Sequence, residues 1–155
     1  MKKVILLVAV IALVSSTGLL PFDGTDIAKL HPVEVLMVSH IGNALLLQTD
    51  SGMSGTGENI EEALLSLRLS TSGNIFLDTA NYLLVTQDCK EQIIRLWDYV
   101  RPACQVYYYK GEGKYEEIGK YLESHPSQAT VLRCVQEEVD IPLLVMEGES
   151  VRIVQ

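Results

Sequence analysis

Three cysteines and three histidines are the residues of this chain best suited to chemistry. The cysteines lie 15 and 30 residues apart, a spacing that matches no zinc-binding pattern: Cys89, Cys104 and Cys134. The histidines form no HxxxH or HxH pair: His31, His40 and His125. No GxSxG nucleophile elbow occurs either. We therefore expect no catalytic residue, no metal ligand and no cofactor. A metal site would need ligands from distant parts of the chain to meet in the fold.

The cysteines allow two interpretations. A cysteine becomes a nucleophile when a histidine base approaches it, and Cys89 is our candidate for a thiol hydrolase. Isolated cysteines are more often small, buried apolar residues. An odd number of cysteines also cannot be fully paired within one chain. We favour the structural interpretation and expect a protein that is not an enzyme.

Two groups of residues are candidates for binding. Tyr107 and Tyr109 lie on one face of a predicted strand, because side chains alternate along a strand, and Tyr108 lies on the other. Aromatic side chains with a polar tip are common at interfaces. The alternative, which we favour, is that these tyrosines pack beneath the flanking helices with their hydroxyl groups at the rim. The glycines of a predicted loop are the second group: Gly52, Gly55 and Gly57. This loop lacks the lysine of a phosphate-binding loop, so we expect a plain mobile loop over Asp50 to Gly57.

Length and charge limit the class of protein. The chain has 155 residues, enough for one domain with its own core. Its formal net charge is −8, which argues against sequence-independent binding to nucleic acid, since that requires many Lys and Arg. The same charge argues against electrostatic docking on anionic lipid.

The N-terminus has the pattern of an export signal. Lys2 and Lys3 precede an apolar run from Val4 to Val14, and small residues follow. The longer segment Val4 to Leu20 also reaches the lower limit of a membrane span, so an uncleaved anchor stays open beside a cleaved signal peptide. Both alternatives place the domain outside the cytoplasm. We expect a signal or anchor over 1–20, a linker over 21–31 and a globular domain over 32–155.

The stretch from Gly57 to Val85 organises the predicted fold, an α/β (α+β-like) domain with a single mixed sheet and about three helices. Asn59 and Glu62 form a capping-box-like helix start. An apolar stripe follows at helical spacing: Ile60, Ala63, Leu64 and Leu67. Val33 to Val38 and Ala44 to Gln48 precede this helix as an antiparallel hairpin.

A right-handed βαβ unit is predicted next. Its strands are Tyr82 to Val85 and Gln105 to Tyr109, and its helix begins at Asp88 and ends before Pro102. The predicted apolar face of this helix consists of Ile93, Ile94, Trp97 and Val100. In parallel strands Cys89 and Cys104 would lie at opposite ends, roughly 15 Å apart, too far for a disulfide.

The remaining segments complete the predicted order. A third helix is expected over Lys114 to Ser124, and Val131 to Gln136 is predicted as a strand. Leu143 to Met146 and Val151 to Val154 are predicted as a closing hairpin.

Two segments resemble the N-terminal domain of the Ger(x)C spore-germination proteins. Gly57 to Leu67 resembles the family's helix start, G-x-T/S-hydrophobic-x-E-A-x-x-x-L, and Asn74 to Val85 is similar to the segment that follows it. The family's lipobox cysteine is absent, and Thr79 or Ala80 replaces its histidine. We expect a stand-alone or shortened version of that domain.

The resemblance implies a function. Members of this family are extracytoplasmic, non-enzymatic components of germinant receptors. We therefore expect membrane protein subunits as partners, and contact with the membrane through the N-terminal apolar segment. The alternative is a secreted module that binds a small ligand or peptide through Tyr107 and Tyr109 or through the glycine loop.

Overall fold

A computed structural model describes residues 30–113, 118–148 and 150–154. The predicted signal or anchor and positions 21–29 of the predicted linker lie outside these residues. The strands in the described part are β1 (Leu30–Pro32), β2 (Val35–Ile41), β3 (Ala44–Thr49), β4 (Ser54–Gly57), β5 (Asn74–Phe76), β6 (Tyr82–Val85), β7 (Gln105–Gly113), β8 (Leu143–Gly148) and β9 (Ser150–Val154). The α-helices there are α1 (Ile60–Leu69), α2 (Gln92–Arg95), α3 (Ile118–Glu123) and α4 (Val131–Gln136).

The main sheet has seven strands in the order β4-β3-β2-β6-β7-β8-β9. Its four central strands are parallel neighbours, and both margins are antiparallel hairpins. The predicted mixed sheet and its two terminal hairpins are therefore confirmed. One correction is needed: β1 and β5 form a separate two-stranded parallel sheet, so the last residues of the predicted linker belong to a strand.

Helix α1 forms as its sequence predicts. The Asn59 side chain accepts a hydrogen bond from the Glu62 backbone N–H at 2.9 Å, and the Glu62 carboxylate accepts one from the Glu58 N–H at 3.0 Å. These bonds satisfy backbone groups that a helix start otherwise leaves unpaired. The predicted stripe is buried: Ile60, Ala63, Leu64 and Leu67.

The segment between β6 and β7 differs from the predicted helix. The two strands are parallel neighbours, as expected, but a 3₁₀ turn (Gln87–Cys89) and the four-residue α2 replace one long helix. Several backbone bonds there join residues three apart, for example Tyr99 N–H to the Leu96 carbonyl at 2.9 Å. This tighter winding turns Ile94 outward, where it is 60% exposed, and buries Leu96 instead. The right-handed sense of the crossover stays a prediction.

The strand predicted over Val131 to Gln136 is wrong, because these residues form α4. Thr130 provides the reason: its hydroxyl accepts a hydrogen bond from the Arg133 N–H at 3.3 Å and caps the helix. The mobile loop predicted over Asp50 to Gly57 is also wrong in its second half, where β4 pairs with β3. The third predicted helix is present as α3, and residues 114–117 lie outside the described part.

The two faces of the main sheet carry separate cores. One, the aliphatic face, presents sheet residues that lie beneath α1, α2 and α4: Leu36, Val38, Leu83, Val85 and Val106. The other, the tyrosine face, presents Tyr82, Tyr107 and Tyr109 together with Ile118 and Leu122 of α3. Strand alternation explains this division, and it confirms that Tyr107 and Tyr109 share a face.

Candidate functional site

The structure brings a histidine, an aspartate and a cysteine together at the carboxyl ends of β2 and β6. His40 lies near the end of β2, two residues beyond Val38 and therefore on the aliphatic face. The Thr86 N–H donates to the Val38 carbonyl at 3.0 Å, which extends the pairing of the two strands by one residue. The chain that follows β6 is thereby held beside His40.

The 3₁₀ turn Gln87–Cys89 places the other two side chains. The Cys89 N–H donates to the Thr86 carbonyl at 2.9 Å and closes the turn. One ligand atom each of His40, Asp88 and Cys89 then lies within 4.8 Å of the others. Cys89 is fully buried, whereas His40 and Asp88 are exposed. The result is a buried sulfur atom below an exposed imidazole and carboxylate.

The electrostatic environment of Cys89 does not activate it as a nucleophile. Burial raises the pKa of its thiol, and the Asp88 carboxylate raises it further. The Thr86 side chain lowers this pKa, but burial is the larger influence. A catalytic cysteine requires a lowered pKa and a partly exposed sulfur. Cys89 has neither.

The pKa values of the other two thiols are raised as well. Cys104 is fully buried, and burial raises its pKa to about 12. Cys134 is partly buried, with its pKa raised for the same reason. All three cysteines are free. Cys89 follows β6 and Cys104 precedes β7. The sequence predicted no disulfide between them because of this arrangement.

The tyrosines singled out in the sequence lie in the core. Tyr107 is fully buried, and its hydroxyl lies 2.8 Å from the His125 carbonyl oxygen and 3.0 Å from Gln105 Oε1. Burial raises the pKa of Tyr107 to about 12. Tyr109 is 9% exposed and packs on the same face. These rings fill space beneath α3 and offer little surface to a ligand.

The glycines of the predicted loop serve packing and chain reversal. A Cβ added at Gly55 would lie 2.2 Å from the backbone nitrogen of Leu67, and one at Gly57 would lie 2.4 Å from that of Ala63. Both glycines therefore allow α1 to approach β4. Gly52 is exposed with φ at +79°, a left-handed conformation that favours glycine in the turn before β4.

A broad groove of about 1150 Å³ borders the tyrosine face. Its lining combines aromatic, charged and apolar side chains, among them Tyr108, Tyr121, His125, Asp140 and Ile153. The Tyr121 and His125 rings stack there with centroids 4.3 Å apart, and the Tyr121 hydroxyl accepts a hydrogen bond from the Ile153 N–H at 3.2 Å.

Residue spacing missed the His40 cluster because His40 and Asp88 are 48 positions apart. A topological signal was available: both residues follow apolar strand segments, and binding sites of open α/β sheets gather at the carboxyl ends of strands.

Comparison of the chain with protein-family models, curated proteins and solved structures finds no match in any of the three. None of the helices in the described residues has both the length and the apolar character needed to cross a bilayer.

Proposed function

We propose that this protein is a non-catalytic, extracytoplasmic envelope protein that assembles as a subunit or accessory of a germinant-receptor-like membrane complex. The N-terminal export pattern and the Ger(x)C-like segments support this proposal. The raised pKa and burial of Cys89 favour binding over catalysis, because the thiol beside His40 is not activated.

The outer surface of α1 is the observation that carries the proposal. Leu65 and Leu69 are one helical turn apart and are 57% and 77% exposed. The opposite side of the same helix is buried in the core. On the exposed side these two leucines form an apolar stripe that is flanked by Glu61, Glu62 and Arg68. An exposed apolar patch with a charged rim is typical of a protein–protein contact, so a membrane protein partner would contact Leu65 and Leu69.

Co-purification from host membranes tests this proposal. We expect the tagged full-length chain to retain membrane protein partners, and the double variant Leu65→Glu with Leu69→Glu to lose them at an unchanged melting temperature. Ile94→Glu is the matched control, since Ile94 is an aliphatic residue of α2 that is 60% exposed. Equal recovery of partners with both variants would contradict the proposed surface.

A secreted module for a small ligand or peptide is the second candidate, and the groove beside Tyr121 and His125 favours it. Its volume of about 1150 Å³ slightly exceeds the roughly 300–1,000 Å³ of small-molecule pockets, so a small ligand or a short peptide would fit. Such a module would stay monomeric without membrane partners, and its melting temperature would rise with its ligand. A Tyr121→Ala variant would lose that rise.

A further inference from the structure

We propose that His40, Asp88 and Cys89 form a binding site for one zinc ion. This inference does not depend on the proposed function, because a metal site is compatible with a receptor subunit or a ligand-binding module. It rests on the types of ligand atom, their mutual distances and the backbone that holds them.

The ligand atoms indicate the metal. The cluster offers an imidazole nitrogen, a carboxylate oxygen and a thiol sulfur. Zinc accepts all three, whereas magnesium and calcium prefer oxygen ligands alone. Three protein ligands also leave one position of a tetrahedral ion for water or for a donor from another molecule.

The distances fit this coordination with a small adjustment. Zinc–ligand bonds of about 2.0–2.3 Å in a tetrahedron place the ligand atoms roughly 3.5 Å from one another. The atoms of the cluster lie within 4.8 Å of one another. His40 and Asp88 are exposed, so rotation about their side-chain bonds can close the difference while the buried Cys89 stays in place.

The backbone restricts the movement of the three ligands. His40 belongs to a strand that is paired on both sides, with β3 and with β6. The turn that carries Asp88 and Cys89 is joined to β2 by the bond from Thr86 N–H to the Val38 carbonyl at 3.0 Å.

Zinc titration of the full-length chain, purified in detergent under reducing conditions, tests the proposal. We expect one zinc ion per chain and a higher melting temperature with zinc. His40→Ala and Asp88→Asn should each weaken zinc affinity by at least about tenfold, since even loss of an outer-shell partner costs about 10–100-fold. Both residues are exposed, so these variants should fold. Asp98→Asn is the matched control at another exposed aspartate.

Cobalt substitution tests the sulfur ligand separately. We expect a thiolate-to-cobalt charge-transfer band that Cys134→Ser retains and Cys89→Ser abolishes. If Cys89→Ser does not fold, the two exposed-residue variants decide the question. Unchanged zinc affinity in both His40→Ala and Asp88→Asn, absence of zinc binding to the unaltered chain, or a charge-transfer band that persists in Cys89→Ser would overturn the proposal.

Discussion

The two faces of the main sheet use different chemistry to form a core. The aliphatic face is covered by α1, α2 and α4, and most of the residues buried there are Leu, Ile, Val and Ala. In the described residues the tyrosine face is covered by α3, and it buries phenol rings whose hydroxyl groups need acceptors. Tyr82 and Tyr107 pack there with ring centroids 6.4 Å apart.

The clustered tyrosines of β7 show what this difference means for the core. In the sequence, Tyr107 and Tyr109 are typical of a recognition surface. In the structure they fill the core beneath α3, because large rings occupy volume that small aliphatic side chains would leave empty. A buried hydroxyl group costs little free energy when it has a hydrogen-bond acceptor nearby. The His125 carbonyl oxygen is such an acceptor for Tyr107.

Alkaline titration should produce the largest effect and should involve both faces. Folding raises the pKa of Cys104, on the aliphatic face, from 9.0 to about 12, and that of Tyr107 from 10.0 to about 12. Each contribution to stability is complete below the unfolded pKa and is lost as pH rises through the folded pKa. The free energy of unfolding should therefore fall between pH 9 and pH 12, by at most about 1.4 kcal/mol per pH unit for each group.

Urea unfolding across that pH range measures this loss. Cys104→Ala should remove the part that begins near pH 9, and Tyr107→Phe the part that begins near pH 10. A free energy of unfolding that stays constant across the range would contradict the burial of both groups.

Truncation of the aliphatic face at Leu67 should have the next largest effect. Leu67 lies on the buried side of α1 and is fully buried against this face, so Leu67→Ala should lower the free energy of unfolding by about 2–5 kcal/mol through lost burial and a residual cavity. Leu65→Ala is the control on the outer side of the same helix and should change it by less than about 0.5 kcal/mol. Similar losses at both positions would mean that α1 is oriented differently.

A methyl group at Gly55 should weaken the contact between α1 and β4. The added Cβ would meet the backbone of Leu67 at 2.2 Å and of Ala63 at 2.4 Å, so the helix must move outward. We expect Gly55→Ala to cost about 1–3 kcal/mol in chemical denaturation. Thr56→Ala, at the exposed neighbouring position, should cost clearly less, and a neutral Gly55→Ala would indicate a loose contact.

Removal of one hydroxyl from the tyrosine face should have the smallest effect. Tyr107→Phe removes the hydrogen bond to the His125 carbonyl oxygen. Gln105 Oε1 still accepts a hydrogen bond from the Ser127 N–H at 2.8 Å. We expect a loss of about 1 kcal/mol in the free energy of unfolding. Tyr108→Phe, on the partly buried opposite side, provides the comparison. A larger loss of unfolding free energy in Tyr108→Phe than in Tyr107→Phe would contradict the importance of the Tyr107 hydrogen bond.

Segments governed by local patterns were predictable from sequence. The Asn59 cap, the buried stripe of α1 and both terminal hairpins follow from spacing within a few residues. The segment Val131–Gln136 was not predictable in this way. Its apolar residues suit a strand or a helix, and the Thr130 cap favours the helix by only about 1 kcal/mol, so packing of Val131 in the core contributes as well.

Single-residue environments followed a similar division. Alternation along β7 placed Tyr107 and Tyr109 on one face, but it could not tell whether that face is covered. The glycines before α1 were recognised as unusual, yet their purpose depends on how closely the helix approaches β4.

The sequence by itself determined the alternation and periodicity of the elements, because those depend on neighbours along the chain. Tertiary structure alone decided which face α3 covers and that His40 meets Asp88 and Cys89. That meeting depends on two strands that lie far apart in the chain and pair in parallel, with their carboxyl ends at the same edge. Local spacing carries no information about such a pairing, and so the candidate metal site became visible only in the fold.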